Sequence, residues 1–302
     1  MTGDSWKITL PCPKTVAERL AGELPELAHL EPQPVLMSRE PDPAQPEDWL
    51  LEVYVDSEPD AALRGLLLTL IPGVAESDMQ VEHVPAADWV TLSQDGLEPI
   101  TAGRFHVYTA RHADTLQPGQ IGLLIEAGQA FGTGQHETTA GCLTLIDRLA
   151  DEGFPVRNAL DLGTGTAILA LGIAKRWRDA RVLATDIDPV AIEVSSENVT
   201  MNGERVGEGA GEVSLAVADG TAHPAITGRA PYELIVANIL AGPLIAMAGG
   251  IAPLLAPGGR LLLAGLLQEQ AANVAAAYTE LGLRQIARHD AGDWPTLMLT
   301  RD

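Results

Sequence analysis

Four polar residues stand where apolar runs end: Asp161, Asp186, Asp219 and Asn238. Asp161 leads into Leu162-Gly163-Thr164-Gly165, Asp186 into Ile187-Asp188-Pro189, Asp219 into Gly220, and Asn238 into Ile239-Leu240. An apolar run that stops on such a residue puts it at the carboxyl end of a buried strand, the edge where open α/β sheets bind ligands. The glycines at 163 and 165 let a ligand lie against the backbone. Asp186 can accept both hydroxyls of a ribose. The dinucleotide fingerprint G-x-G-x-x-G fails, because Ile168 occupies its third glycine position. Asp161 would repel a pyrophosphate and suit a cation. A cationic, ribose-bearing ligand without phosphate fits better, which points to S-adenosylmethionine. Asp219 can then meet the adenine amino group.

The elements that position these residues follow the chain. Strands are expected at Asp161-Leu162 and just before it, at 181–185, 213–217, 232–237 and 260–264. Helices are expected at 168–176, after the cap Asp188-Pro189, at 244–255 and at 269–281. Residues 283–288 and 296–300 flank Asp290-Ala-Gly-Asp293 and read as a hairpin. A parallel sheet closed by an antiparallel hairpin is the architecture of class I methyltransferases. Upstream, residues 5–84 alternate strand, helix, strand, strand, helix, strand, which predicts a small ferredoxin-like α+β domain. Within it residues 59–70 read as a helix with Ala62, Leu66 and Leu70 on one side. The expected organisation is a recognition domain over 1–84, a linker over 85–125, and a Rossmann-like domain over 126–302.

Composition bounds the partners. The formal net charge is −22, and residues 1–110 carry 19 acidic against 6 basic side chains. Such a field repels nucleic acid and raises the encounter rate with basic partners. Two cysteines without ligand spacing suggest neither a disulfide framework nor a metal site. No signal-peptide core or continuous apolar span is evident. The chain is therefore read as a cytoplasmic protein without metal or membrane attachment, with no sign of oligomerisation and a monomer as the default.

These motifs together resemble the ribosomal protein L-11 methyltransferase family. The carrying stretches are Phe131-Gly-Thr-Gly-Gln-His136-Glu-Thr-Thr139, Leu160-Asp-Leu-Gly-Thr-Gly-Thr-Ala-Ile-Leu-Ala170, Asp186-Ile-Asp-Pro189 and Val236-Ala-Asn-Ile-Leu-Ala-Gly-Pro-Leu-Ile245. The resemblance is strong over about 126–270 and topological over 1–84. It implies cofactor contacts at Thr139, Gly163, Asp186 and Asn238, and amines of the ribosomal protein as methyl acceptors. Those amines would be lysine side chains or an N-terminal α-amine, with the first domain gripping the protein. Ala167 departs from a usual glycine, tolerably so if its backbone is helical. Glu126-Ala127 and Glu137 depart from an Asp-Pro pair and a proline.

Methyl transfer is an in-line displacement, so the enzyme's main task is to align a neutral amine with the methyl carbon. Free lysine has a pKa of about 10.4, and presenting it neutral at pH 7 costs roughly 4–5 kcal/mol. Asn238 and the carbonyl of Ile239 would aim the lone pair. Phe131 would wall an apolar pocket that favours loss of the proton. Two other readings stay open: a lysine methyltransferase for another protein, such as an electron-transfer flavoprotein subunit, and a cofactor-binding module without turnover.

Overall fold

The computed structural model describes residues 5–16, 34–39, 48–71, 73–84, 99–125 and 136–302. It divides into two compact units, Met1–Ser93 and Gln94–Asp302.

In the first unit, β1 (Ser5–Pro13), β2 (Val35–Arg39), β3 (Asp48–Val55) and β4 (Gln80–Val84) form one sheet in the order β2-β3-β1-β4. All neighbouring strands are antiparallel. Alternation sets its core: Ile8, Leu10 and Cys12 of β1 are buried together with Leu51 and Val53 of β3. Helix α1 (Ala61–Leu70) is capped by Asp60, whose carboxylate accepts from the Leu63 amide at 2.8 Å. This strand order with a helix before β4 is the ferredoxin-like arrangement. The buried face of α1 differs from the expected one. Leu67 and the following Ile71 are fully buried, with Leu63 and Leu70 packed beside them, whereas Ala62 is exposed. Of the other expected helix, residues 14–16 are helical and the remainder lies outside the described residues.

The second unit begins earlier than the sequence suggests. Strands β5 (Ile100–Ala102), β6 (Phe105–Tyr108) and β7 (Ile121–Leu124) form a small sheet, antiparallel between β5 and β6 and parallel between β6 and β7. Phe105, Val107, Leu123 and Ile125 join the same core as Cys142, Leu143 and Ile146 of α2 (His136–Asp151). The part of the expected linker from 100 to 125 is therefore folded into the second unit. Its strands are too short to show a period on their own, and tertiary burial decides them.

The main sheet contains β8 (Asn158–Leu162), β9 (Arg181–Asp186), β10 (Arg205–Val206), β11 (Glu212–Val217), β12 (Tyr232–Asn238), β13 (Leu255–Ala264), β14 (Leu283–Ala291) and β15 (Trp294–Arg301). Their order is β10-β11-β9-β8-β12-β13-β15-β14. All pairs are parallel up to β13; β15 runs antiparallel to both β13 and β14. The intervening helices are α3 (Ile168–Arg176), α4 (Pro189–Met201), α5 (Pro224–Thr227), α6 (Ala241–Ile251) and α7 (Gln268–Thr279). Successive strand residues sort into two cores. Ala159, Val182, Ala184, Val236 and Leu262 face one, while Leu160, Leu183, Ile235 and Leu261 face the other. Burial on both faces explains why these strands read as continuous apolar runs. The order reverses between β9 and β12, on either side of β8, which makes the carboxyl end of β8 a switch point. One boundary differs from expectation: Pro257-Gly258-Gly259 lies inside β13, where its pairing with β12 shifts register, and α6 ends earlier.

Candidate active site

The carboxyl ends of β8, β9, β11, β12 and β13 open on a cleft of about 730 Å³, within the range of small-molecule sites. Gly163, Gly165, Asp186, Asp219 and Asn238 line it, as expected from sequence. Leu162, Ile187, Leu240, Pro243, Met247, Gly265, Thr138 and Trp294 line it as well. No Lys, Arg or His stands among the described lining residues, and two carboxylates do.

Asp186 is the anchor. Its Oδ2 accepts from the Gly165 amide at 2.9 Å, and its Oδ1 accepts from the Asp188 amide at 3.1 Å. Each oxygen keeps a lone pair for a ligand hydroxyl. The turn is tied to β9 a second time, since the Gly163 and Thr164 amides both donate to the Thr185 carbonyl, at 2.8 and 2.9 Å. Gly165 holds φ +57, and a Cβ there would enter open space. A ligand can therefore lie directly on this backbone. Asp188 caps α4 through the Val190 amide at 2.9 Å, with Pro189 at the first helical position.

Asn238 ends β12. Its side-chain amide donates to Thr139 Oγ1 at 3.4 Å, a long bond that orients the group. The Asn238 side-chain oxygen has no partner among the described residues and remains for the cleft. Thr139 itself is buried and stands behind Asn238, while Thr138 lines the cleft. The resemblance implied a cofactor contact at Thr139; the structure puts Thr138 on the cleft wall instead, because adjacent helix residues face different ways, and leaves Thr139 behind Asn238. Trp294 and Met247 carried no motif at all. Trp294 reaches the site because β15 runs antiparallel, so its start returns to the carboxyl edge. Phe131, and the loop that carries it, lie outside the described residues.

Asp161 departs from its expected place. It is fully buried and does not line the cleft. Its Oδ2 accepts from the Thr164 hydroxyl at 2.7 Å and the Ala170 amide at 3.0 Å, so it braces the glycine turn against the start of α3. Its Oδ1 has no partner among the described residues. Burial pushes this carboxyl up to about 6, and the charge of Asp186 adds to that, against the two hydrogen bonds. In the unfolded chain the group ionises near about 3.9. The folded state thus binds the extra proton between these values, and stability falls as pH rises from about 4 to about 6, then levels. The ionised form costs on the order of 3 kcal/mol at pH 7. Asp161→Asn keeps an acceptor for Thr164 and Ala170 and carries no charge. Urea unfolding at pH 7 is expected to show the variant more stable by roughly 1–3 kcal/mol, with the gain gone at pH 4. Equal gains at both pH values would show that the buried charge is not the cause.

Ala167 also differs from expectation. Its backbone is not right-handed helical but left-handed, at φ 62 and ψ 16, immediately before α3. A residue with Cβ costs roughly 1–2 kcal/mol there.

The site suits a cationic, ribose-bearing cofactor. It offers a ribose-type carboxylate, a bare backbone cradle, a second carboxylate at the rim and, among the described lining residues, no cation to hold a phosphate. A parallel sheet of this order, closed by the β14–β15 hairpin and opening at the β8 switch point, defines a class I methyltransferase. A family profile described as "Ribosomal protein L11 methyltransferase (PrmA)" matches residues 24–302. A protein of Agrobacterium fabrum named ribosomal protein L11 methyltransferase is 43% identical over 255 residues, 84% of this chain and 85% of its own length. One of Brucella abortus with the same name is 43% identical over 251 residues, 83% of this chain and 84% of its own. The crystal structure of a ribosomal protein L11 methylase from Lactobacillus delbrueckii subsp. bulgaricus superposes with a TM-score of 0.55 at 25% identity. It covers 68% of this chain and 98% of that one. The chain belongs to the ribosomal protein L11 methyltransferase family.

Proposed function

We propose that this protein transfers methyl groups from S-adenosylmethionine to amines of ribosomal protein L11, on lysine side chains or the N-terminal α-amine. The observation that supports this most is the pairing of Asp186 and Asn238 across one cleft whose described lining holds carboxylates and no basic side chain. The cofactor supplies an electrophilic methyl on a sulfonium; the chain supplies alignment and exclusion of water. Asp186 would hold the ribose, Gly163 and Gly165 the backbone-facing side, and Asp219 the adenine amino group. The side-chain oxygen of Asn238 would accept one N–H of the incoming amine. The Ile239 carbonyl, next along the chain, would accept another, leaving the lone pair free to attack. Leu240, Pro243, Met247 and Trp294 make the walls largely apolar, which disfavours an ammonium and favours the neutral nucleophile. Asp161 and Thr139 act behind the wall, one bracing the turn and the other orienting Asn238.

The acidic first unit would steer a basic ribosomal protein toward the cleft and would grip it. No described helix is long and apolar enough to cross a membrane. With the net charge of −22, we read the protein as a cytoplasmic monomer that does not bind nucleic acid directly.

Cofactor tritiated on its methyl group, incubated with purified L11 and with whole lysate, tests the substrate. Label is expected in L11, with mass spectrometry locating it on amines. Label in a different lysate protein and none in L11 would move the assignment to another protein substrate. Cofactor binding without any transfer would leave a binding module. For Asn238→Ala, kcat is expected to fall about 10- to 100-fold, as for loss of one hydrogen bond to a charged or developing-charge group. Full turnover with normal substrate affinity would remove Asn238 from the mechanism.

A further inference from the structure

The geometry assigns Ser195 and Asn198, on the buried face of α4, as positioning residues that hold the cofactor turn in its left-handed shape. This deepens the proposed function and rests on Gly163–Gly165 being the cofactor's seat. Left-handed backbone at Gly165 and Ala167, with φ of 57 and 62, delays the start of α3 to Ile168. The carbonyls of Gly165 and Thr166 are bonded instead by side chains from α4. The Ser195 hydroxyl donates to the Gly165 carbonyl at 2.9 Å, and the Asn198 side-chain amide donates to the Thr166 carbonyl at 3.0 Å. Ser195 is 0% exposed and Asn198 is 1% exposed, so both donors are fixed inside the fold. Ala167 has no side-chain hydrogen bond of its own with which to cap the helix.

Each part explains another. A non-glycine residue persists at positive φ only where its surroundings over-determine it. Here the surroundings are two buried donors spaced three residues apart on one helix, the spacing that shares a face. Asn202, four residues further, extends the same grip: its amide pairs both ways with Leu124, accepting from the Leu124 amide at 2.9 Å and donating to its carbonyl at 2.6 Å. The helix thus fixes the turn and the end of β7 to one support. Losing one donor leaves a carbonyl of the turn without its side-chain partner, buried at Thr166 and part-buried at Gly165. The cheapest escape is for the strained turn to relax toward right-handed backbone, which withdraws the surface on which the cofactor lies. Affinity for cofactor should fall before the chemistry does.

The test compares Ser195→Ala, Asn198→Ala and Ser195→Ala combined with Ala167→Gly, each checked for folding by circular dichroism. Two readouts are used. In the cofactor-free protein, amide hydrogen exchange over residues 163–167 is expected to quicken about 10-fold in Ser195→Ala, with α6 amides unchanged. By calorimetry, the Kd for S-adenosylmethionine is expected to rise about 10-fold, with kcat at saturating cofactor and KM for L11 within about twofold. Adding Ala167→Gly, which removes the left-handed penalty, should recover at least about threefold of the lost affinity. Should Asn198→Ala fail to fold, the two Ser195 variants carry the test alone. Unchanged exchange at 163–167, or a loss that Ala167→Gly does not relieve, would overturn the assignment. Faster exchange in a protein whose parent form binds no S-adenosylmethionine would instead uphold the positioning role and sink the choice of cofactor.

Discussion

Asp186→Ala is expected to weaken S-adenosylmethionine binding by 100-fold or more, measured by calorimetry on folded protein. Two losses combine. A ribose presents two hydroxyls to the carboxylate, and hydrogen bonds to a charged group are worth roughly 1.5–3 kcal/mol each. The same carboxylate also fixes the Gly165 and Asp188 amides, at 2.9 and 3.1 Å, so its removal loosens the turn and the entry to α4 together. Asp186→Asn separates the two. The amide keeps its size and one acceptor; with that oxygen on the Gly165 amide the turn should hold, while the Asp188 bond and one ribose contact are lost, and the affinity should fall between the two extremes. Thermal unfolding should change little in either variant, because Asp186 is only partly buried. A Kd within about threefold of the parent value in the alanine variant would remove Asp186 as the sugar anchor, since even one lost charge-assisted bond exceeds that.

Much of this site is legible because strand ends are marked twice, by the end of an apolar run and by a polar residue followed by glycine or a cap. Asp186 and Asp219 carry both marks and Asn238 only the first, and all three line the cleft. Asp161 is marked as well and is nevertheless buried, because the side chain points to the face that α2 and α3 cover, as Ala159 does two residues earlier. Sequence gives the strand end; only the phase within the strand decides between cleft and core. The first unit's sheet was legible from alternation, while the buried side of α1 was not. Ala62, Leu66 and Leu70 fit a helical stripe, yet Leu63, Leu67 and Ile71 do so equally, and the sheet selects the larger set. Strands β5 and β7 escaped because three or four residues carry no period on their own. Ala167 shows a different failure. Its neighbours suggested the start of a helix, and the left-handed angle there is imposed by Ser195 and Asn198, about 30 residues downstream.

Gly265→Ala is expected to be the most damaging single methyl in the site, lowering stability by roughly 2–5 kcal/mol and kcat by about 100-fold in whatever folds. Gly265 follows β13 at φ +81, which alone disfavours alanine by about 1–2 kcal/mol. A Cβ there would lie 2.4 Å from the Ile239 carbonyl oxygen, 2.8 Å from its carbon and 2.9 Å from its nitrogen. These are backbone atoms, so no rotamer change relieves the contact. The chain at Ile239 must move, and with it the carbonyl proposed to accept the substrate amine and the adjacent Asn238, which pairs with Ala264. Displacement of about 1 Å at reacting groups costs on the order of 100-fold. Gly220→Ala isolates the strain. It also has positive φ, +71, and lines the cleft, but a Cβ there meets only the Met247 sulfur, at 3.9 Å. That variant should lose only about 1–2 kcal/mol and keep kcat within a few fold. Urea unfolding and steady-state kinetics on both variants decide the matter. Equal effects at the two positions would mean that backbone angle alone governs, and that close approach of β12 and β13 does not set the position of the Asn238–Ile239 acceptors.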